Sequence, residues 1–445
     1  MKILFLVSDF PKPDGEAVEM ICFEMVRFLL QAGHAVHVQV LIKGDSLPPH
    51  SERQEMVREH WPGVAMEPSI FLNPSGKREK AGKWSRFFRS LPIIRSKIYP
   101  PFFLGAQVAE RVQSTVDRVC PDILLSLWSN EALAACHAVK GVPKWIYYGN
   151  PDPVPQAARL ARPDLFGSQK KGFSAWIEGT LARMENRAKE VQHLAMIRSC
   201  DAVANDSTLF AEYYAAHGHK KTFYLKLWHP ARSAPVFGGV SCDTPKIVAS
   251  VGHLGATGNT FGLWYLGREL LPFLETRFGK SGLKIAIIGK GEPVPTVKPL
   301  LEHPLIHRLG WVENIEKEIC GSALFLILTN ATGFLVPNTR ILLGWSLGAC
   351  VLAHANSALS MPEMRHKENC LLAATPQEMA ETIAWALDNP DERERIGRAG
   401  FELFSDRFHI EKVMPELIDN LEVCACEFRS KKLANRPFWR RGALC

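Results

Sequence analysis

The stretch from Thr329 to His354, TNATGFLVPNTRILLGWSLGACVLAH, is where this sequence comes closest to showing chemistry. A strand end runs into a turn holding Gly333, Pro337 and Asn338. An apolar helix follows, stopped by Gly348, and then a further strand, ACVLA. Loops of this kind aim backbone N–H groups and a helix N-terminus at one point, where an anion can sit. The helix carries one cation, Arg340, and no carboxylate. A cation in a helix's first turn opposes the helix dipole, which favours a ligand-binding role over that of a solvated surface arginine. Asn338 and Thr339 are suited to cap the helix, and their N–H groups are free to meet an anion as well. The chemistry written here is the holding of negative charge.

The elements that position this stretch follow from the rest of the chain. A chain of 445 residues exceeds one ordinary core, so two domains are expected. The hydrophobic fraction of 47% and charged fraction of 22% are those of a globular protein. The net charge of +7 suits an anionic small ligand or an acidic membrane surface without selecting either. The eleven cysteines are scattered, mostly in apolar segments, and their odd number without a spacing pattern points to a reducing, cytoplasmic compartment. Cys424 and Cys426 have no matching partner pair, so no zinc site is expected. MKILFLVSDF reads as a buried first strand rather than a signal peptide, and no apolar run is long enough to cross a membrane.

KILFLVSD, the helical VEMICFEMVRFLLQAG and the strand HAVHVQVLI form a βαβ unit, which favours a parallel sheet. PDILLSLW, KWIYYG and SCDAVAND are further strands, interleaved with helices over 130–139, about 175–197 and 207–218. Residues 229–245 are rich in Pro, Gly and Ser and read as a linker. A second series then begins with KIVASVGHLG, KIAIIGKGEP, IHRLGWV and ALFLILTN. The expected fold is α/β, with two Rossmann-like doubly wound domains facing a cleft. They span 1–228 and 246–410, and a crossing helix with a basic tail follows over 411–445. Ligands of such sheets bind beyond the carboxyl ends of the strands.

In order and spacing, four segments resemble the GT-B glycosyltransferases of the retaining, family-4-like group. They are KILFLVSDFPKPDGEAVEM, LLQAGHAVHVQV, SVGHLGATGNTFGLWYLGRELLPFL and TRILLGWSLGACVLA. The last lies where members carry Lys-x-Leu-Glu-Ala-x-x-x-Gly-x-Pro-Val-Val-Ala. The resemblance implies an N-terminal acceptor domain, a C-terminal nucleotide-sugar domain, and last helices, around Glu411 to Glu422, that return to the first domain. The implied reaction moves a sugar from a nucleotide-sugar to a glycan or lipid-linked acceptor, as in surface polysaccharide or glycolipid synthesis. No cofactor and no metal are expected.

Under that resemblance Arg340 stands where relatives place a phosphate-contacting lysine, and its planar fork suits phosphate oxygens. A departing diphosphate gathers charge, so fixed cations and backbone donors are the expected machinery. His253 stands where many relatives have arginine. Gly252 and Gly255 allow close approach of backbone to ligand, Asn259 caps a helix start, and Lys290 lies in the Gly289–Gly291 turn beside the implied nucleotide. Gly15 matches the loop that reaches the donor phosphates from the first domain, with Asp14 as a turn former. Asp152, in YYGNPDPVP, is the candidate for orienting the acceptor or supporting positive charge on the sugar, and Glu131 is the weaker alternative. Asp152 and Arg340 are thus the catalytic candidates. Gly15, Gly252, His253, Lys290, Gly333, Asn338, Thr339 and Arg340 are the candidates for donor binding.

Residues 76–105 interleave Lys and Arg with aromatic and aliphatic side chains, which suits peripheral contact with the inner face of an anionic membrane. The tail 428–445 adds basic charge, and no nucleic-acid module is present. One departure from the family pattern supports a different class of function. Relatives place a glutamate in the helix to hold the donor ribose, and many place a second one eight positions earlier. Leu343 and Leu335 stand there, and a leucine leaves a ribose hydroxyl unpaired, at a cost of roughly 1–3 kcal/mol. The alternative is therefore a non-catalytic GT-B scaffold or partner subunit.

Overall fold

In the computed structural model the described residues are 1–8, 10–13, 15, 17–42, 49–72, 106–151, 153–166, 173–229, 233–237, 244–250, 252–336 and 339–434. Asp14, Asp152, Asn338, the segment 76–105 and residues 435–445 lie outside them.

The first sheet is built from β1 (Lys2–Val7), β2 (Ala35–Ile42), β3 (Ala65–Met66), β4 (Ile70–Phe71), β5 (Ile123–Leu127), β6 (Lys144–Tyr148), β7 (Ala202–Asn205) and β8 (Thr222–Tyr224). The spatial order is β3-β2-β1-β5-β6-β7-β8, with β4 also on β2, and every pairing is parallel. Continuous apolar runs such as KILFLV and ILLSL are what a parallel sheet covered on both faces requires. The second sheet comprises β9 (Lys246–Ser250), β10 (Lys284–Ile288), β11 (Ile306–Gly310), β12 (Leu324–Ile327), β13 (Val351–His354) and β14 (Leu371–Ala373). Its order is β11-β10-β9-β12-β13-β14, again all parallel. Strand order therefore reverses between β1 and β5 in one sheet and between β9 and β12 in the other. At such reversals the crossovers leave to opposite faces and open a crevice at the carboxyl ends.

The helices that matter for the site are α1 (Ala17–Gln31), α2 (Asn130–Ala138), α3 (Pro153–Ala161), α4 (Pro163–Phe166), α5 (Phe173–Arg198), α6 (Thr208–Ala216), α7 (Thr257–Tyr265), α8 (Thr339–Ser346), α9 (Pro376–Asp388), α10 (Pro390–Arg407) and α11 (Ile410–Ala434). Gly33 and Gly348 end α1 and α8 with φ of 81° and 70°, left-handed values open to glycine at little cost.

The two sheets are joined on both sides of the crevice. On one side Leu165 is buried in the core of the second sheet, and Thr296 Oγ1 donates to its carbonyl at 2.8 Å. Phe166 meets Phe261 edge-on at 5.2 Å, and the Arg162 guanidinium lies 4.3 Å above Trp264. On the other side Thr208 Oγ1 donates to Leu359 O at 2.7 Å and its N–H to Ser360 O at 3.3 Å, while Tyr224 donates to Glu363 at 3.0 Å. Thr208 follows β7 and Ser360 follows β13, so the carboxyl ends of the two sheets meet there.

Helix α11 packs back on α1, β5 and β6, burying Val413, Met414, Leu417 and Leu421. It runs twelve residues beyond Glu422, and its far end meets the first unit through the ion pairs Lys221–Glu427 and Arg429–Asp122, the latter at 3.7 Å. The expected tail is thus helical over 428–434. The described part of the expected linker is fixed on the second unit. Val236 N–H donates to Leu347 O at 3.0 Å, and Phe237 lies between Phe401 and the Arg398 guanidinium.

Candidate functional site

The carboxyl ends of β9, β10 and β12 and the start of α8 build the first half of the site. Gly252, directly after β9, has a φ of 114°. A Cβ there would lie 3.5 Å from Asn259 Nδ2 and 3.6 Å from Arg340 Nη2. Residues 88 positions apart in sequence therefore meet around a backbone that carries no side chain. Asn259 sits in the first turn of α7, where its Nδ2 donates to His253 O at 2.8 Å. Its Oδ1 is buried without a partner. Thr260 Oγ1 beside it is also buried and unpaired.

Arg340 is partly buried and, among the described residues, has no hydrogen-bond or ion-pair partner. Desolvation pushes its pKa down to about 10, so it stays charged at neutral pH. It lines a small cavity with Asn259, Gly262, Leu328 and Thr329. An enclosed cation without a counter-ion is costly, and here its guanidinium points at the exposed backbone of Gly252.

His253 is exposed, and a Cβ on Gly291 would come within 2.8 Å of its Nε2. Gly291, with φ of 75°, leaves room for the ring. Leu254 N–H donates to Lys290 O at 2.9 Å, which ties the two loops together and leaves the Lys290 side chain exposed. Any side chain on Gly289 would collide with Gly252 O, so these loops are in backbone contact. A Cβ on Gly255 would lie 3.2 Å from Glu292 O.

The loop after β12 is braced by buried Asn330. Its Oδ1 accepts from Val336 N–H at 3.1 Å, and its Nδ2 donates to Val336 O at 3.0 Å. Gly333 is exposed with φ of 76° and open space around it, so backbone conformation explains the residue there. Thr339 opens α8 and is partly exposed. Leu343 and Leu335 are partly buried, and Leu343 packs against the larger core cluster.

The structure thus brings Gly252, His253, Lys290 and Arg340 into one neighbourhood with Asn259 and Gly291. Gly15 belongs to the other sheet, where a Cβ would collide with the Glu19 carboxylate at the start of α1. Glu131 is 2% exposed in the first turn of α2, beside the capping Ser129 hydroxyl, which donates to it at 3.5 Å. Asp152 and Asn338, like Asp14, fall outside the described residues.

At the ends of β5 and β6 the sequence points to Glu131 and Asp152, but it does not single out Trp128, Gly149 or, after β7, Asp206. Trp128 follows β5 with φ of 44°, an uncommon value for a large side chain. Gly149 follows β6, and Asp206 follows β7, buried at 5% exposure. Burial pushes the Asp206 carboxyl well above the usual carboxylate range. The available signal was a polar residue closing each of three apolar strands: LWS, YYGN and VAND.

Among the described residues no group of three or more His, Cys, Asp or Glu side chains is placed to hold a metal ion. No described helix is long and apolar enough to cross a membrane.

With this geometry in hand, the chain was compared with known proteins. Residues 268–419 match a family profile described as glycosyl transferase-like. No curated protein matches the chain by sequence. Sucrose-phosphate synthase from Thermosynechococcus elongatus is similar in structure, with 13% identity and a TM-score of 0.63, over 95% of this chain and 100% of that one. HepE of Anabaena, in a complex with UDP and glucose, has 14% identity and a TM-score of 0.55, over 95% and 99% of the two chains. The lipopolysaccharide outer core galactosyltransferase WaaB, in its apo form, has 13% identity and a TM-score of 0.51, over 91% and 98%. At such identities the likeness is one of fold, and that fold is the two-domain GT-B arrangement over nearly the whole chain.

Proposed function

We propose that this chain, which has the GT-B fold and matches a glycosyl transferase-like profile over residues 268–419, is a glycosyltransferase that moves a sugar from a nucleotide-sugar to a glycan or lipid-linked acceptor, with retention of configuration at the transferred carbon. The observation that carries this reading is Arg340, an enclosed cation without a counter-ion among the described residues, beside the side-chain-free backbone of Gly252. A diphosphate supplies the missing charge. As the sugar–phosphate bond breaks, negative charge builds on the departing oxygen, and a guanidinium fixed in place beforehand stabilises it without reorganising. The start of α8 and the His253–Lys290 loops add donors around the same point. The residues nearest the phosphates are cations and backbone, so the proposal calls on no resident metal.

Support for the donor class comes from HepE, whose structure holds UDP and glucose. Support for a surface-glycan acceptor comes from WaaB, named for the lipopolysaccharide outer core. The proposal extends to a cytoplasmic protein that touches an anionic membrane face through 76–105, supported by the composition of that segment. Co-sedimentation with anionic liposomes at low salt is the expected result, and a protein that stays in the supernatant overturns that part.

The second reading, a scaffold that has lost donor binding, is favoured by one observation: Leu343 packs into apolar surroundings where relatives present a carboxylate. Calorimetry with UDP-, GDP-, ADP- and dTDP-sugars separates the two. Binding of one donor supports the transferase. Failure of all four classes at millimolar concentration overturns it.

A further inference from the structure

Residues 153–166 stand between β6 and α5, so by chain order they belong to the first unit, yet their apolar face belongs to the second. Val154, Ala158 and Phe166 pack against the core of the second sheet, and Leu165 is 3% exposed within it. The spacing of Val154 and Ala158 puts both on one side of α3, and α3 lies against α5 of the first unit and α7 of the second. Hydrogen bonds fix the segment from both units. Asn186 Nδ2, on α5, donates to Pro153 O at 3.0 Å, and Thr296 Oγ1 donates to Leu165 O at 2.8 Å. The segment is a strap from one unit to the other.

The strap reaches the donor side of the site through three rings. Phe166 meets Phe261 edge-on at 5.2 Å, and Phe261 lies 5.6 Å from Phe334 at an interplanar angle of 30°. Phe261 and Phe334 are 2% and 4% exposed, so neither ring can shift without its neighbours shifting as well. Phe261 stands two residues after Asn259, whose amide holds His253 O beside Gly252. Phe334 stands in the loop braced by Asn330, six residues ahead of Arg340. A Cβ on Gly258 would lie 3.6 Å from Phe334 Cε1 and 3.5 Å from Thr329 Cγ2, so the start of α7 and that loop are in close contact. At the outer end, the Arg159 guanidinium lies 5.2 Å over Phe166 and that of Arg162 lies 4.3 Å over Trp264. Asp164 holds Arg162 there, accepting from its Nη2 at 2.7 Å.

We propose that Phe166 is a positioning residue for the donor side of the crevice: through Phe261 and Phe334, the strap 153–166 sets the approach of Asn259 and Arg340 to Gly252. The ligand in this assignment, a nucleotide diphosphate, rests on the transferase reading, whereas the coupling itself does not. Asp152 directly precedes the strap in sequence, so the segment that follows one catalytic candidate is anchored on the unit that carries the other. Coupling between sites is reciprocal: a docked strap favours nucleotide binding, and bound nucleotide tightens the strap.

Hydrogen exchange on the full chain reads the coupling. Phe166→Ala is expected to speed exchange in peptides covering 257–265 and 330–336 by about twofold to tenfold, the weight of one edge-to-face ring pair, and to leave 351–373 unchanged. Thr296→Val, which frees the strap without touching a ring, is expected to act in the same direction, and Phe166→Tyr to restore wild-type exchange. For any UDP-, GDP-, ADP- or dTDP-sugar that binds, Phe166→Ala is expected to weaken affinity by about twofold to tenfold, and saturating donor to slow exchange of 153–166 in the wild type. A merely structural Phe166 would lower the melting temperature and leave exchange at 257–265 and 330–336 at its wild-type rate. That result overturns the proposal, and so does donor affinity that is equal in wild type and Phe166→Ala. A chain that binds no nucleotide yet exchanges faster at those peptides in Phe166→Ala supports the coupling and sinks the transferase reading instead.

Discussion

The two sides of the crevice bury charge in opposite ways. At the ends of β9 and β12, desolvation acts on Arg340 and pulls its pKa down to about 10, yet the group remains a cation at neutral pH. At the ends of β5 to β7 the same desolvation acts on Asp206 and pushes it up, towards the neutral acid. An arginine starts so far above pH 7 that burial cannot discharge it, whereas a carboxyl starts below and can escape its charge by taking a proton. One wall therefore keeps a charge that invites an anion, and on the other burial drives a carboxyl away from its charged form.

The most damaging way to break the contrast is to remove the cation. Arg340→Met is expected to lower transfer rate by roughly 100-fold or more, as loss of a fixed charge-stabilising group does, and to abolish nucleotide binding by calorimetry. The same variant is expected to melt higher than wild type without ligand, by about 2 °C or more, because a costly buried charge has gone. A variant as active as wild type, or one that melts lower, removes Arg340 from the role given to it.

Filling the gap between that cation and the backbone comes next. Gly252→Val places a side chain against Asn259 and Arg340 at a left-handed φ. It is expected to weaken nucleotide affinity by roughly tenfold and to destabilise the fold by about 1–2 kcal/mol, read by calorimetry and denaturant unfolding. Unchanged affinity would place the diphosphate elsewhere.

Leu343→Glu sharpens the donor side, because it restores the carboxylate that relatives present to ribose. Tighter nucleotide binding by up to about tenfold is expected from one charged hydrogen bond, with some loss of stability as an apolar contact disappears. No gain in affinity would mean that the ribose does not lie against α8.

The smallest effect concerns the neutral wall. The carboxyl of Asp206 ionises in the unfolded chain near about pH 3.9, but higher in the fold. Its contribution to stability is complete below the unfolded value and is lost as pH rises through the folded one. Asp206→Asn is expected to flatten the dependence of melting temperature on pH between about pH 4 and pH 8, and to melt a few degrees above wild type at the upper end. A slope equal to that of the wild type would mean that Asp206 is ionised in the folded protein.

Much of the fold was legible along the chain. KILFLV, ILLSL and LFLI are apolar without alternation, which only doubly covered parallel strands tolerate, and the two series repeat around 229–245. The stretch TNATGFLVPNTRILLGW showed that a helix with one cation follows a strand. Its neighbours were less legible. Nothing near Arg340 in sequence says that no described carboxylate pairs with it, or that a Cβ on Gly252 would lie 3.6 Å from its Nη2. The far end of α11 pairs with Lys221 and Asp122, which lie far from it in sequence. Residues 153–166 read as part of the first unit, yet Leu165 is buried in the core of the second.

The sequence by itself determined the strand and helix periods, the two parallel sheets and an anion-seeking loop, because these depend on neighbours three or four residues away. Only the tertiary structure decided which groups are desolvated and which are paired. Those properties belong to contacts between residues 20 to 90 positions apart, such as Trp128 with Gly149 and Gly252 with Arg340. Burial acts on both walls of the crevice, and the residue type decides the response: Arg340 keeps its charge, while the Asp206 carboxyl is pushed towards the neutral acid.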